Sequence, residues 1–186
     1  ALSRQLPEPD GPPIRVTVMG EDLRLMRMTD GTVALVSPRC PHRGADLFYG
    51  RNEANGIRCV YHGWKFGKDG RCMAIPTLDP GPQRERAEQN VRLLAYECVE
   101  RAGIVWAWMG PPEDRPPLSE LEFMTLPPAH VYVSKKLQQC NWAQAAEGAL
   151  DTAHFSFLHM SVGEEDDDHA MKILSQSEAA ASGDKN

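Results

Sequence analysis

Near its start the chain falls into short apolar runs with strand character. Ile14-Arg15-Val16-Thr17-Val18 alternates with period two, which places successive side chains on opposite faces of a half-buried strand. Leu23 to Met28 makes a second run, and Thr29-Asp30-Gly31 turns it into Thr32-Val33-Ala34-Leu35-Val36. Asp-Gly between two such runs is a hairpin signal. Ile104-Val105-Trp106-Ala107-Trp108 predicts another strand, stopped by Gly110-Pro111-Pro112. Ahead of the first strand, Pro7-Glu8-Pro9-Asp10-Gly11-Pro12-Pro13 is a cluster of breakers, so residues 1–13 are expected to be irregular. Short strands with Gly and Pro punctuation predict an all-β domain over residues 14–110.

Beyond it the pattern changes. Six prolines in three Pro-Pro pairs lie between Pro111 and Pro128, so residues 111–130 read as a linker or surface crossover. Val131-Tyr132-Val133-Ser134-Lys135 resumes strand alternation, and the alanine-rich stretch Trp142 to Asp151 favours helix. Residues 131–186 are therefore expected to open a second domain. Its last residues, Ser175 to Asn186, are small and polar, as in a segment without fixed structure. No internal repeat is visible.

Composition sharpens the picture only in places. The 186 residues are 41% hydrophobic and 25% charged, enough to bury a core. No stretch approaches 18 consecutive apolar residues and no signal-peptide pattern opens the chain, so neither a membrane span nor secretion is expected. The first residue is Ala1, which suggests a processed or cut start. The net charge of −6 resides in residues 151–186, where 8 acids face 2 bases, while residues 1–150 balance 18 against 18. With no basic stripe interleaved with aromatics, nucleic acid is not an expected partner. Five cysteines suit a reducing, cytoplasmic setting with some of them on metal better than a disulfide framework. Cys72, Cys98 and Cys140 have no ligand-type neighbours and read as small buried hydrophobes.

The chemistry concentrates between Cys40 and Phe66, CPHRGADLFYGRNEANGIRCVYHGWKF. Cys40 and His42 are separated by one residue, Cys59 and His62 by two, and sixteen residues lie between the pairs. Two thiolates and two imidazoles can make a structural zinc site, but a zinc finger groups its cysteines together and its histidines together. Here each pair mixes the two. Mixing suits a two-iron cluster in which each loop supplies a Cys to one iron and a His to the other, the definition of a Rieske [2Fe–2S] centre. Gly44 and Gly63 stand where each loop must fold back closely, and Tyr61, Trp64 and Phe66 can wall the site from water. Residues 39–72 carry seven bases (Arg39, Arg43, Arg51, Arg58, Lys65, Lys68, Arg71) against three acids. That excess either helps keep a reduced cluster stable and attracts an acidic reductase, or is an ordinary solvated surface.

With C-x-H-R-G and C-x-Y-H-G-W in place, the sequence resembles the Rieske domain of ring-hydroxylating aromatic oxygenases, specifically the oxygenase α-subunits of the phthalate dioxygenase-like branch. The resemblance spans nearly the whole chain. It implies a domain of antiparallel sheets with cluster-binding loops, followed by the start of an α+β catalytic domain. It also implies that His42 and His62 face outward, as the exit point for the electron.

A second constellation lies at the far end. On a continuous helix Gln144, Glu147, Asp151 and His154 fall within about 80° of one another. Such a narrow polar stripe on an apolar helix, with Trp142, Phe155 and Phe157 nearby, is a buried site or a solvent face. His154 and His159 lie about 140° out of phase on a regular helix, so to share a metal the helix must end or bulge between them. The resemblance supplies the motif D-x-x-H-x-x-x-x-H, matched by Asp151, His154 and His159. It implies that the two His hold a mononuclear non-haem Fe(II), and that Asp151 hydrogen-bonds a Rieske histidine of a neighbouring subunit in a homo-oligomer, trimer-based. A 2-His-1-carboxylate triad needs a third ligand, which the family draws from beyond the end of this chain. The run Glu164 to Asp168 is the only nearby substitute.

The chain is thus expected to be the N-terminal part of an oxygenase component. Electrons from an NAD(P)H-dependent reductase would reach Fe(II) through the cluster, for O₂-dependent hydroxylation of an aromatic, carboxylate-bearing substrate. The alternative is a stand-alone Rieske ferredoxin, which needs only about the first 110 residues and leaves Asp151, His154 and His159 without a purpose.

Overall fold

A computed structural model describes residues 1–159 of the chain. The acidic run Glu164 to Asp168 and the tail from Ser175 lie outside the described residues. Residues 1–135 form one compact unit and a second begins at Lys136.

Three of the runs that alternate or turn in the sequence become strands: β1 (Ile14–Val18), β2 (Glu21–Arg27) and β3 (Val33–Val36). They pair antiparallel, with Val16 opposite Leu23 and Leu25 opposite Leu35. Thr29-Asp30-Gly31 makes the expected hairpin turn, where Asp30 Oδ1 accepts from the backbone N–H of Thr32 at 2.9 Å. Four short strands follow, β4 (Arg51–Glu53), β5 (Gly56–Arg58), β6 (Lys65–Phe66) and β7 (Cys72–Ala74), which pair in order as a second antiparallel sheet. A helix α1 (Pro82–Asn90) leads to β8 (Ala95–Arg101) and β9 (Ile104–Trp108), which complete a five-stranded sheet in the order β1-β2-β3-β8-β9.

Because β3 and β8 are neighbours, everything from Ser37 to Leu94 is an excursion from one sheet. Its neck is closed by the Ser37 N–H donating to the Leu94 carbonyl at 2.8 Å. The excursion carries the small sheet, and the two sheets share a core of Met26, Met28, Val36, Leu47, Ile57, Phe66, Ile75 and Leu93. A second core, on the other face of the large sheet, holds Leu6, Leu23, Leu25, Leu35 and Val105. Strand β2 is therefore buried on both sides, and its one cationic buried residue, Arg24, is 6% exposed.

Residues 1–13 contain only a single 3₁₀ turn, yet they are tied down. Leu2 bridges to Ile104 and Leu6 is 3% exposed. The helix α1 was not foreseen; its polar sequence PQRERAEQN has no apolar stripe to announce it, though Pro82 at its first turn is a start signal. Val131 to Lys135, expected as a strand, has no partner strand among the described residues and is irregular. An extended run forms a strand only where another backbone takes its hydrogen bonds. Between Pro111 and His130 the crossover makes three one-turn 3₁₀ helices and buries Met124.

In the second unit α2 (Trp142–Leu150) is capped by Asn141, whose Oδ1 accepts from the Ala143 N–H at 2.9 Å. It ends at Asp151, which is extended, and a single-turn helix α3 (Phe155–Leu158) follows. The continuous helix through His154 expected from the sequence is thus two helices, so Gln144, Glu147, Asp151 and His154 do not form one stripe. Trp142, Glu147 and Asp151 are exposed rather than buried. No helix among the described residues is long and apolar enough to cross a membrane.

Candidate iron–sulfur centre

The two loops that carry Cys40, His42, Cys59 and His62 leave the sheets at corresponding places. One follows β3 and the other joins β5 to β6, where Arg58 pairs with Lys65. They share a hydrogen-bond skeleton. The Gly44 N–H donates to the Cys40 carbonyl at 2.8 Å, and the Gly63 N–H to the Cys59 carbonyl at 3.0 Å. In return the Cys40 N–H donates to Ala45 O at 2.9 Å, and the Cys59 N–H to Trp64 O at 2.8 Å. Each loop is closed by its fifth residue, a glycine at φ +70° (Gly44) or +73° (Gly63), a region that other residues enter only with strain.

A short repeat underlies this, invisible as overall similarity: Arg-Cys-x-x-x-Gly occurs at Arg39–Gly44 and again at Arg58–Gly63. Each arginine reaches across its own loop to the glycine carbonyl, Arg39 at 3.1 Å and Arg58 at 2.9 Å. The signal was present in the sequence, but the arginines read there only as charge.

The loops place thiols inward and imidazoles outward. Cys40 and Cys59 are 2% and 3% exposed and belong to the core between the sheets, whereas His42 and His62 are half-buried. The two imidazole centroids are 4.7 Å apart. Trp64 stacks flat on His42 at 4.3 Å and holds its indole N–H on Thr77 Oγ1 at 3.1 Å. Tyr61 leans on His62 at 3.9 Å but is 61% exposed, so it covers the ring without sealing it. Phe66 is fully buried in the same core as the two cysteines.

The electrostatics follow from this placement. Burial, with Cys59 alongside, pushes the Cys40 thiol up to about 11. Metal binding at Cys40 must therefore displace its proton. Burial, then the neighbouring His62 and Arg43, lowers the His42 pKa and favours the neutral ring that can ligate a metal. Beneath the first loop Asp46 accepts two hydrogen bonds from the Arg24 guanidinium, at 2.8 and 2.7 Å, and caps the turn Leu47–Tyr49 through the Phe48 N–H. This pair ties the loop to β2.

Among the described residues no three His, Cys, Asp or Glu side chains are gathered so as to hold a single metal ion. A two-iron cluster asks for something different, and four donors divided between thiols and imidazoles would hold it. Two buried thiols and two surface-directed imidazoles fit that requirement in chemistry and in number.

At the other end of the chain Asp151 Oδ1 accepts from the Ala153 N–H at 2.9 Å, and Oδ2 lies 3.2 Å from His154 Nδ1. These contacts, the backbone one first, lower the Asp151 pKa. His159 follows α3 directly and has left helical geometry, which removes the phase mismatch: the His154 and His159 centroids are 5.3 Å apart. Asp151 thus touches His154 and His154 neighbours His159, but the described residues do not gather the three into a group that could hold a metal ion. Of the remaining cysteines Cys72 is buried and Cys98 half-buried, its thiol pushed up to about 11 by burial. Cys140 is exposed, contrary to its reading as a core residue, because it precedes α2 on an uncovered segment.

An all-β domain that presents two thiol–imidazole loops face to face is the frame of a Rieske-type redox protein. Residues 1–96 match the family model of the Rieske [2Fe–2S] domain, and residues 107–183 match that of the LigXa C-terminal domain like family. The chain belongs to the Rieske [2Fe–2S] family, on the branch of the phthalate dioxygenase-like oxygenase subunits. It is 45% identical over 167 residues to the phthalate 4,5-dioxygenase oxygenase subunit of Pseudomonas putida, covering 86% of this chain and 36% of that one. To the 3-chlorobenzoate-3,4-dioxygenase oxygenase subunit of Comamonas testosteroni it is 41% identical over 172 residues, covering 91% and 39%. Dicamba monooxygenase bound to dicamba superposes with a TM-score of 0.55 at 30% identity, over 66% of this chain and 36% of that one. The chain spans well under half the length of the curated relatives it matches.

Proposed function

We propose that this chain is the electron-entry portion of the oxygenase component of a multicomponent Rieske system, with Cys40 and Cys59 on one iron of a [2Fe–2S] cluster and His42 and His62 on the other. The observation that carries this reading is the pair of matched loops, with thiols in the core and imidazoles at the surface. When bound, the cluster supplies one-electron transfer, at a potential that two neutral imidazoles raise relative to four thiolates. The chain's own residues do the rest. The core between the sheets keeps water from the cysteine side, Trp64 and Tyr61 set the planes of the two imidazoles, and those imidazoles form the exposed edge through which an electron leaves.

His154 and His159 would hold the mononuclear Fe(II) of the whole protein, completed by a carboxylate from elsewhere. Asp151 supports this assignment: its contact at His154 Nδ1 fixes that ring with Nε2 free for metal, and its half-exposed carboxylate can accept a further N–H from a Rieske histidine of a neighbouring subunit. That link calls for a homo-oligomer, which the family resemblance implies is trimer-based. An NAD(P)H-dependent reductase and O₂ are the remaining partners, and the setting is cytoplasmic. The two relatives are named for 3-chlorobenzoate and phthalate, both aromatic carboxylates, so an aromatic acid is the substrate class. A stand-alone Rieske ferredoxin is disfavoured because similarity continues from residue 107 to 183.

The test is spectroscopic. Anaerobically purified protein is expected to be red-brown, to contain about two irons per chain, and to give when reduced the EPR signal of a mixed His/Cys-ligated cluster. His62→Cys lowers the potential by adding a thiolate's charge. A colourless zinc protein, or a His62→Cys variant with unchanged potential, refutes the assignment.

A further inference from the structure

The repeated Arg-Cys-x-x-x-Gly segments are alike in backbone but not in charge environment. Arg39 makes one bond, to Gly44 O, from an exposed position. Arg58 is 23% exposed and is held from two sides: Nη1 donates to Gly63 O at 2.9 Å while Nε donates to Glu53 Oε1. Glu53 lies on the neighbouring strand β4, two residues beyond Arg51, which pairs directly with Arg58. Gly63 follows His62 in the chain, so the carbonyl that Arg58 grips belongs to the residue adjoining a proposed iron ligand. A rigid fork serves this geometry because its separate N–H groups meet two acceptors at fixed angles, which an ammonium on a flexible stem does not reproduce.

Resting on the cluster reading above, we propose that Arg58 and Glu53 act as a positioning pair for the second loop. The Arg58 fork holds the Gly63 carbonyl against β4, and the opposed charges of the pair set the reduction potential of the cluster from the His62 side. Removing Arg58 takes away a cation and leaves Glu53 with only its longer contact to Arg51 at 3.5 Å, which disfavours the extra electron. Removing the Glu53 charge leaves Arg58 uncompensated, which favours it. The two neutralising changes therefore move the potential in opposite directions. A purely structural role loosens the loop in both cases and gives no such split.

The experiment uses the cluster-loaded protein and measures two quantities, the midpoint potential by EPR-monitored redox titration and the rate of cluster loss to an iron chelator. Arg58→Gln is expected to make reduction three- to tenfold less favourable, tenfold being about 59 mV for one electron. Glu53→Gln is expected to make it more favourable by a similar factor while releasing the cluster at the wild-type rate, since its amide oxygen still accepts from Nε. Arg58→Lys keeps the charge but loses the fork, so its potential stays near wild type while cluster loss quickens at least threefold. Should Arg58→Gln assemble no cluster, Glu53→Gln and Arg58→Lys still carry the test. Shifts of the same sign in the two Gln variants, an unmoved potential in Glu53→Gln, or a wild-type release rate in Arg58→Lys overturns the proposal while the wild-type signal leaves the cluster reading intact. A wild-type protein without that signal overturns both.

Discussion

Gly44 and Gly63 offer a matched perturbation, because the loops they close share a backbone but not their surroundings. Both sit at positive φ, +70° and +73°, so alanine at either position meets the same backbone penalty, about 1–2 kcal/mol. They differ in what a new Cβ would touch. At Gly44 nothing lies within 4 Å, whereas at Gly63 the Pro76 Cγ is 2.8 Å away. A proline ring cannot swing aside as a long side chain does, so Gly63→Ala carries an additional overpacking cost of about 1–3 kcal/mol. For a chain of this size each kcal/mol lowers Tm by roughly 2–4 °C. Gly44→Ala is expected to lose roughly 2–8 °C, and Gly63→Ala to fall a further ~2–12 °C below it. Thermal unfolding of the oxidised protein, followed by visible absorption of the cluster and by far-UV circular dichroism, measures both. If the two variants melt together, or Gly44→Ala is the weaker, the clash with Pro76 does not govern this loop. Pro76→Ala in the Gly63→Ala background is the internal check, since it removes the obstructing Cγ and restores most of the difference.

Two other expectations follow from the ion pairs. Asp46→Ala leaves the buried Arg24 guanidinium without its carboxylate. The cost is expected to be roughly 2–3 kcal/mol, below the 3–5 of a fully buried pair because Asp46 is 23% exposed. Arg24 holds the Asp46 carboxyl below its usual range. The pair's stabilisation is thus complete above the ordinary carboxylate pKa of about 3.9 and is lost as pH falls through the lowered value. Urea unfolding should show wild type and Asp46→Ala converging as the solution is acidified through that range, and a constant gap would contradict the linkage. In the full-length protein, Asp151→Asn is expected to keep both metals and the oligomer but to slow oxidation of the reduced cluster by substrate and O₂ in rapid mixing. An unaltered rate takes Asp151 off the electron's route.

The paired Cys/His pattern of the four proposed cluster ligands and the three strands of the first hairpin region were legible because their determinants are local. Cys-x-His and Cys-x-x-His are spacings, and the alternation at Ile14–Val18 or Ile104–Trp108 is a property of a few neighbouring residues. Asp151, His154 and His159 were legible as a motif but not as a geometry: the helix break at Asp151 arises because its carboxylate caps the next turn through Ala153 in place of continuing the ladder. The misread strand at Val131–Lys135 shows the limit from the other side, since alternation states which face a strand would present and not whether a partner exists. Only the tertiary structure decided that the small sheet is an excursion between β3 and β8, and that the thiols face the core while the imidazoles face out. It alone made Arg58 and Glu53 a pair. The sheet order and the facing of the loops depend on strands brought together from far along the chain and on which side chains then exclude water, while Arg58 and Glu53, five residues apart, meet only through the register of the β4–β5 hairpin.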